Sequence, residues 1–307
     1  MSRPSNGVSS SDRALVCPAP AKLNIRLKIT GRRPDGYHNL VSVMVPVTLY
    51  DRIELRPAPG SGIFLTCCGL EVPEDEENLA VQAAKAFLFR TGLDKGLSIH
   101  LTKNIPVAAG LGGGSSDAAA VLRGLNRMEA SPLAPADLED LALELGADVP
   151  FFLHAVPCIA RGIGERLTPI ETWPDLWYVI VMPPVQVSTA WVYGQLAWPP
   201  PELGTRGITE IELTMVEYQR IINYLQKEPI EIIPLLENDL ERVTLAHVPE
   251  VADIKKALLR TGAMGTLMSG SGPSVFGIYP SEEAAKRSRN RLGRQNLGSV
   301  FLAQGLG

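Results

Sequence analysis

A glycine-rich segment, PVAAGLGGGSSDAA from Pro106 to Ala119, constrains the fold of this chain more than any other feature. The residues before it, LSIHLTKNIP, are typical of a strand, and the Ala- and Leu-rich residues from Ser115 onward predict a helix. Glycines at such a junction let backbone N–H groups approach an anion without obstruction by Cβ atoms. Because the helix N-terminus adds partial positive charge, the segment predicts a phosphate-binding loop. The alternative is a flexible surface turn, which would not require a helix directly after it.

Common nucleotide-binding classes are excluded by the spacing within this segment. It lacks the Gly-Lys-Ser or Gly-Lys-Thr ending of a Walker A loop, and it does not match G-x-G-x-x-G. The H-R-D and D-F-G motifs of protein kinases are also absent from the chain. The loop therefore belongs to another kind of phosphate site.

Length and composition predict two packed domains in a reducing, cytoplasmic setting. The 307 residues are 45% hydrophobic and 20% charged, which is enough for two cores. A net charge of -4 gives no basic field for nucleic acid or an anionic membrane surface, and no apolar run is long enough to cross a bilayer. The four cysteines and four histidines lack the spacing of a transition-metal site, and so few cysteines do not suggest a disulfide scaffold.

The order of the predicted elements is typical of an α+β chain. Two strands from Ala14 to Leu55 flank the turn segment GRRPDGYHN, and a helix should follow Asn78. Another helix is predicted from Pro135 to its terminator Gly146. Helices and strands alternate in the second half, where ENDLERVTL is predicted to be helical. The polar, Ser-rich first dozen residues predict a frayed tail, and the prolines around 198–201 predict a long surface loop.

Several polar residues stand out as candidates for chemistry. Lys22 and Asn24 lie two apart on the first predicted strand and so point to the same face, although a lone strand lysine is usually just solvent-exposed. Asp148, in GADVPFF, lies between a helix end and two phenylalanines, where it could also be a turn aspartate. Tyr37 and His38 follow a Pro-Asp-Gly turn and could equally lie at a structural loop tip.

Three segments, in this order along the chain, resemble motifs of the GHMP kinases, the superfamily of galactokinase, homoserine kinase and mevalonate kinase. PAPAKLNIRLKITGRRPDGYHNL is similar to P-A-K-[IL]-N-L followed by D-G-Y-H, the glycine-rich loop to P-x-x-x-G-L-G-S-S-A, and MSGSGPSVFG to S-G-S-G-[PS]-[ST]. The additional glycine and Asp117 resemble the branch whose acceptor is a cytidine-diphosphate-bearing sugar alcohol. The chain departs from the pattern mainly at Ala108 and Ala109, where glycine or methionine is frequent.

The resemblance implies a two-domain α+β fold, with an N-terminal domain like domain 2 of ribosomal protein S5 and a ferredoxin-like C-terminal domain. It places a tail at 1–12, an ATP-binding domain at 13–163 and a substrate domain at 164–307. The implied ligands are ATP with Mg²⁺ and a cytidyl sugar alcohol as acceptor. Neither a nucleic acid nor a membrane is an expected partner, and a monomer or weak dimer is the expected assembly.

By the same resemblance Lys22 and Asp148 are the catalytic residues. Asp148 would accept the proton of the acceptor hydroxyl, and Lys22 would offset the negative charge that develops on the phosphoryl group. Ser115 or Ser116 is the candidate contact to magnesium or to the β-phosphate, and Asn78 is either near the nucleotide or simply a helix N-cap. The implied ATP-binding residues are Pro106, Val107, Ala108, Ala109, Gly110, Leu111, Gly112, Gly113, Gly114, Ser115, Ser116 and Asn78.

The implied acceptor site is built around the cytosine ring. Tyr37 would stack on one face and His38 would contact the polar edge, and such a stack contributes about 1–3 kcal/mol. Tyr193 is assigned to the opposite face, with Trp191 as its rival. The second glycine loop is either part of this site or a tight turn between strands. The remaining implied substrate contacts are Asn24, Ser269, Gly270, Ser271 and Gly272.

Two other functions stay open at this point. The first is a kinase of the same superfamily for another small alcohol, of the homoserine or mevalonate type, although such acceptors have no base for Tyr37 and His38 to contact. The second is a non-catalytic ligand-binding paralogue. Retention of both Lys22 and Asp148 argues against it.

Overall fold

A computed structural model describes residues 14–197, 209–227 and 231–307, which form two compact units. The first unit contains Asp51–Asn104, Gly114–Leu153 and the described residues up to Ala19. The second contains Pro20–Tyr50, Ile105–Gly113 and the described part of His154–Gly307. The predicted tail at 1–12 and the predicted loop around 198–201 lie outside the described residues. The predicted domain division after residue 163 stays a prediction.

Strands and helices alternate along most of the chain. The strands are β1 (Leu15–Arg32), β2 (His38–Ala58), β3 (Gly62–Gly69), β4 (Gly96–Lys103), β5 (Cys158–Gly162), β6 (Arg166–Pro169), β7 (Trp177–Met182), β8 (Glu237–Asn238), β9 (Gly265–Met268), β10 (Val275–Tyr279) and β11 (Ser299–Gln304). The helices are α1 (Leu79–Thr91), α2 (Gly113–Met128), α3 (Pro135–Leu145), α4 (Val149–His154), α5 (Thr189–Gly194), α6 (Glu210–Leu225), α7 (Glu241–His247), α8 (Pro249–Arg260) and α9 (Glu282–Leu292).

The first unit is built on strands in the order β3-β4-β2. β3 pairs with β4 in parallel, and β4 pairs antiparallel with residues 52–58 of β2. Alternate residues of β4, namely Leu97, Ile99 and Leu101, are buried, as expected for a strand with one face on the core. Of these strands, β4 ends at Lys103, shortly before the glycine-rich loop begins at Pro106.

The helix ends in the first unit follow from local sequence signals. The Asn78 side chain accepts a hydrogen bond from the backbone N–H of Ala80, so the N-cap alternative for Asn78 is confirmed. Pro135 opens α3, and Gly146 ends it by donating its N–H to backbone carbonyls of the last turn. Helix α2 begins at Gly113, two residues before the predicted start.

The strands of the second unit belong to two different sheets. In the first sheet β8 pairs with β1, β1 lies beside β2, and the first half of β2 pairs with β5, which forms a hairpin with β6. The second sheet is antiparallel in the order β11-β7-β10-β9, with α8 and α9 packed against it. Gly162, the last residue of β5, and Gly164, in the β5–β6 connection, have φ values of 75° and 119°.

The two faces of β1 have different roles because successive residues of a strand point in opposite directions. Ala21, Leu23 and Ile25 are fully buried in a hydrophobic cluster with valines of β2. The alternating positions Lys22 and Asn24 therefore point to the other face. None of the helices in the described residues combines the length and the apolar character needed to cross a membrane.

One predicted helix is wrong at its start. ENDLERVTL was expected to be helical throughout, but Glu237 and Asn238 form β8, which pairs in parallel with Arg26 and Leu27 of β1. Helix α7 begins only at Glu241. The strand is favoured there because the Asn238 side chain accepts a hydrogen bond from the backbone N–H of Leu240, and asparagine bonds of this local kind compete with helix formation.

Candidate active site

In the loop that precedes α2, residues with a positive φ angle alternate with residues whose side chains are buried. Ala108, Gly110 and Gly112 have φ values of 51°, 75° and 73°. The side chains between them, Ala109 and Leu111, are 2% and 1% exposed. These apolar anchors fix the loop, while the positive φ values, which glycine adopts without cost, make its backbone turn sharply. Ala108 has a Cβ in this conformation, and this departure from the motif is therefore a strained position.

Lys22 is connected to this loop through its backbone. Its N–H donates to the carbonyl of Leu111 at 2.9 Å, so the side chain starts next to the loop. Lys22 is only 5% exposed, and its ammonium donates to Asn24 Oδ1. Asn24 Nδ2 in turn donates to the Ser42 hydroxyl at 2.8 Å. The Asn24 amide is therefore engaged by protein groups, and it orients the Lys22 ammonium.

The second glycine loop, residues 268–274 between β9 and β10, is hydrogen-bonded to the first. The Ser269 hydroxyl donates to the carbonyl of Gly110 at 3.0 Å and accepts from the backbone N–H of Asn24 at 3.2 Å. The N–H of Ser274 donates to the carbonyl of Ala109 at 3.3 Å. A Cβ on Gly110 would overlap the Ser269 carbonyl oxygen, so only glycine fits there. Lys22, Asn24, residues 106–113 of the glycine-rich loop and the second glycine loop thus form one connected group within the second unit.

The predicted cytosine contacts lie in the same unit. Tyr37 is 60% exposed, and its backbone N–H donates to Asp35 Oδ1. His38 is buried, and its Nε2 has no hydrogen-bond partner among the described residues. Burial, together with the positive charge of Arg32, lowers the pKa of His38, so its ring is neutral near pH 7.

The two rival aromatic residues on α5 have different neighbours. The ring of Tyr193 lies 5.4 Å from that of His38, at an interplanar angle of 36°. The ring of Trp191 lies 4.5 Å from that of His247, edge to face. Tyr193 is therefore the α5 ring beside His38.

The remaining predicted site residues lie in the first unit. Asn78 Nδ2 donates to the carbonyl of Pro73 at 2.7 Å, so both ends of this amide already bond to backbone. Ser116, in the first turn of α2, is fully buried, and its hydroxyl has no hydrogen-bond partner among the described residues. Asp148 is half-buried directly before α4. Its proposed pairing with Lys22, which belongs to the second unit, stays a prediction.

A buried charge cluster in the first unit was missed by the sequence analysis. The Lys103 ammonium donates to Asp51 Oδ2 and, at 2.6 Å, to Asp117 Oδ2. All three side chains are almost inaccessible to water. They tie the end of β4 and the middle of β2 to the first turn of α2. Only Asp117 had been noticed, as a feature of the glycine-rich motif.

This cluster holds two carboxylates against one ammonium. Burial and the negative charge of Asp51, only partly offset by Lys103, raise the pKa of Asp117 to about 8. Burial lowers the pKa of Lys103, but the two carboxylates outweigh it and raise that pKa above its ordinary value. Asp117 Oδ1 has no hydrogen-bond partner among the described residues. The raised pKa of Lys103 keeps its ammonium ionised, and the raised pKa of Asp117 favours a proton on that carboxyl up to about pH 8.

The described residues contain no group of three or more His, Cys, Asp or Glu side chains placed to hold a metal ion. The four cysteines are free thiols.

Comparison with known proteins decides the family. The family model of the GHMP kinases N terminal domain matches residues 78–155, and that of the GHMP kinases C terminal domain matches residues 224–297. The 4-diphosphocytidyl-2-C-methyl-D-erythritol kinase of Syntrophotalea carbinolica is 45% identical over 286 residues, which is 93% of this chain and 97% of that protein. The chain belongs to the GHMP kinases.

Solved structures agree with this assignment. A crystal structure of 4-(cytidine 5'-diphospho)-2C-methyl-D-erythritol kinase matches this GHMP kinase with a TM-score of 0.78 and 35% identity, covering 95% of this chain and all of that one. The homoserine kinase of Cytophaga hutchinsonii matches with a TM-score of 0.73 at 22% identity, covering 97% of each chain, and shows the shared fold alone. The predicted two-domain α+β GHMP fold is confirmed.

Proposed function

We propose that this GHMP kinase transfers the γ-phosphoryl group of ATP to the 2-hydroxyl of 4-diphosphocytidyl-2-C-methyl-D-erythritol, giving the 2-phosphate and ADP for isoprenoid precursor synthesis. The name of the relative that is 45% identical over almost the whole chain supports this acceptor. The observation that carries the proposal is the Tyr193–His38 pair, in which a neutral, buried imidazole with a free Nε2 lies beside a phenol ring. A cytosine needs such an edge contact and flat surface, whereas homoserine or mevalonate does not.

The glycine-rich loop is the proposed phosphate cradle. Its positive φ values at Gly110 and Gly112 are typical of loops that present N–H groups to anions, and α2 begins directly after it with its N-terminal partial positive charge. Lys22, bonded to the same loop through Leu111, is the proposed cation that offsets the charge on the transferred phosphoryl group. Phosphoryl transfer depends mainly on such positioning and charge neutralisation.

Asp148 is the proposed base for the acceptor hydroxyl. Its half-buried place ahead of α4 keeps the carboxylate reachable by a ligand. When it takes the proton, the hydroxyl oxygen attacks the γ-phosphorus, and the bond to the ADP oxygen breaks. Asn24 contributes by fixing the Lys22 ammonium, since Lys22 and Ser42 already occupy its amide.

Magnesium is the proposed ion that accompanies ATP. The Ser116 hydroxyl fits a role in holding it, because this oxygen is buried in the first turn of α2 without a partner among the described residues. Bound there, magnesium would neutralise charge on the phosphate oxygens.

Replacing Tyr37 with alanine is expected to weaken acceptor binding much more than ATP binding. Loss of a base stack of about 1–3 kcal/mol corresponds to a rise of roughly 5- to 150-fold in the acceptor KM. Steady-state ADP release with each substrate varied in turn measures both KM values. Trp191→Ala is the matched control, because Trp191 packs on His247 instead of His38. Equal losses for ATP and acceptor in Tyr37→Ala would reject the stacking role.

The proposed function is tested by a panel of acceptors in a coupled ADP-release assay. The cytidyl sugar alcohol is offered beside homoserine and mevalonate at equal concentrations, with ATP and magnesium. ADP release that depends on the cytidyl sugar alcohol alone is expected. Turnover with homoserine or mevalonate would replace the proposed acceptor, and a protein that binds the ligands without turnover would be a binding paralogue.

A further inference from the structure

The second glycine loop has a backbone arranged to bind an anion. Gly270 and Gly272 have φ values of 55° and 84°, and the loop is closed by the N–H of Ser269 donating to the carbonyl of Ser274 at 2.9 Å. A concave backbone of this kind binds a phosphate through N–H groups that point into it. It does so only if the carbonyl oxygens, which would repel the phosphate, point away from the ligand. The N–H groups of Ser269, Gly272 and Ser274 already donate to carbonyls, so those of Gly270 and Ser271 are the candidate donors in this loop.

The backbone carbonyls of four successive residues in this loop each accept a hydrogen bond from a protein donor. Their owners are Met268, Ser269, Gly270 and Ser271. One side chain, Asn238, engages two of them, since its Nδ2 donates to the Met268 carbonyl at 2.9 Å and to the Gly270 carbonyl at 2.8 Å. The Thr244 hydroxyl holds the Ser271 carbonyl at 3.1 Å. Asn238 is therefore the largest single constraint on the orientation of these peptide groups.

Asn238 is itself fixed on all sides. It is 7% exposed, its Oδ1 accepts from the N–H of Leu240 at 2.9 Å, and its backbone pairs with Leu27 of β1. An asparagine side chain has two N–H hydrogens and a carbonyl oxygen, and here both kinds of group are used. Aspartate has the same shape but offers no donor to the two carbonyls. The position thus requires an amide for a chemical rather than a steric reason.

The base of the loop is anchored independently of Asn238. The Ser269 hydroxyl and the Ser274 N–H bond to carbonyls of the glycine-rich loop, as described above. Loss of the Asn238 donors would therefore release the peptide groups around Gly270 while leaving the contact with the proposed ATP cradle in place.

We infer that Asn238 is a positioning residue for the reaction: it holds the Met268 and Gly270 carbonyls inward, so that the second glycine loop presents N–H groups to a phosphate of the acceptor. The inference rests on the proposed function, in which this loop belongs to the acceptor site. A residue that only stabilised the fold would change the amount of folded enzyme and leave the KM of the folded fraction unchanged. The KM for the acceptor is therefore the deciding quantity.

The test compares Asn238→Asp with two other variants in steady-state ADP release, varying the cytidyl sugar alcohol and ATP separately. Asn238→Asp is expected to raise the acceptor KM by about tenfold or more, with the ATP KM changed less than about threefold, since it loses two donors and sets a carboxylate against two carbonyls. Thr244→Val, which loses one donor, should raise the acceptor KM by about threefold.

Asp239→Asn is the matched control on the same segment, because Asp239 bonds to Lys28 and Ile29 and not to the loop. Its acceptor KM should equal that of the wild type.

Circular dichroism and thermal melts confirm that each variant is folded. An unchanged acceptor KM in folded Asn238→Asp, or equal rises in both KM values, would overturn the inference. If Asn238→Asp does not fold, Thr244→Val carries the test, and an unchanged acceptor KM there is equally decisive. Failure of the proposed function would look different, since the wild type itself would then release no ADP with this acceptor.

Discussion

Asp148→Asn is expected to lower kcat by about 10²- to 10⁴-fold, the usual range for loss of a general base, while ATP binding stays nearly intact. Asparagine keeps the size of the side chain but cannot take a proton from the acceptor hydroxyl. The glycine-rich loop, which is the proposed ATP contact, does not depend on the charge of this carboxylate. The variant should therefore bind both substrates and turn over poorly.

The measurement pairs kcat from ADP release with the ATP Kd from isothermal titration. Asp140→Asn, an exposed aspartate on α3 in the same unit, serves as the control for the loss of one negative charge. It should keep full turnover. A kcat for Asp148→Asn within a few-fold of wild type would reject Asp148 as the base, and a lost ATP affinity would move its role to nucleotide binding.

Local signals made several helix ends and the glycine-rich loop predictable. Each of these signals acts within one helical turn. The Asn78 side chain caps α1, Pro135 has the fixed φ of a first helical residue, and the N–H of Gly146 bonds to carbonyls at the end of α3. The loop before α2 could be predicted for the same reason, since its glycines directly determine where positive φ values are possible. The phosphate-binding prediction therefore depended only on residues that are neighbours in the chain.

Partners far apart in the chain were not predictable. Arg26 is fully buried and ion-paired with Glu217 of α6 and Glu237 of β8, yet nothing in its own strand indicates which acids approach it. Lys103 and Asp51 looked like ordinary charged strand residues. A weak signal existed for Ser42, a polar residue within the apolar run VSVMVPV that proves to hold Asn24.

The wrong helical prediction for β8 also has its cause in residues that are distant in the chain. Its helical prediction used composition alone, whereas β1 and the second glycine loop draw Glu237 and Asn238 into an extended conformation. Tertiary hydrogen bonds overrode local preference at this point. The positions where local reasoning failed, Lys103 and Asn238 among them, are those whose side chains connect separate elements next to the glycine loops.

Lys103→Met is expected to be the most destabilising single substitution considered for this chain. Removing one partner of a buried ion pair leaves uncompensated charge and typically lowers the free energy of unfolding by about 3–5 kcal/mol. Here both Asp51 and Asp117 would lose their ammonium in a site closed to water. Asp117→Asn should lower the free energy of unfolding much less, because the Lys103–Asp51 pair remains and a surplus carboxylate is removed.

The pH dependence has a definite sign. The raised pKa of Asp117, about 8, means that the folded chain binds this proton more tightly than the unfolded chain, where an aspartate has a pKa near about 3.9. Its contribution to stability is thus fully present below pH of about 4 and is lost as the pH rises towards about 8. The Lys103 ammonium lowers the pKa of Asp117, so removing it raises that pKa further. The stability deficit of Lys103→Met should therefore be larger at pH 8 than at pH 5.5.

Urea unfolding followed by circular dichroism at the two pH values measures the deficit. Lys95→Met is the matched control, since Lys95 forms an exposed pair with Glu129 and such surface pairs contribute about 0–1 kcal/mol. Asp117→Asn should flatten the pH dependence of the free energy of unfolding between the two values. A Lys103→Met protein as stable as the control at pH 8, or one whose deficit grows on acidification, would contradict the raised pKa of Asp117.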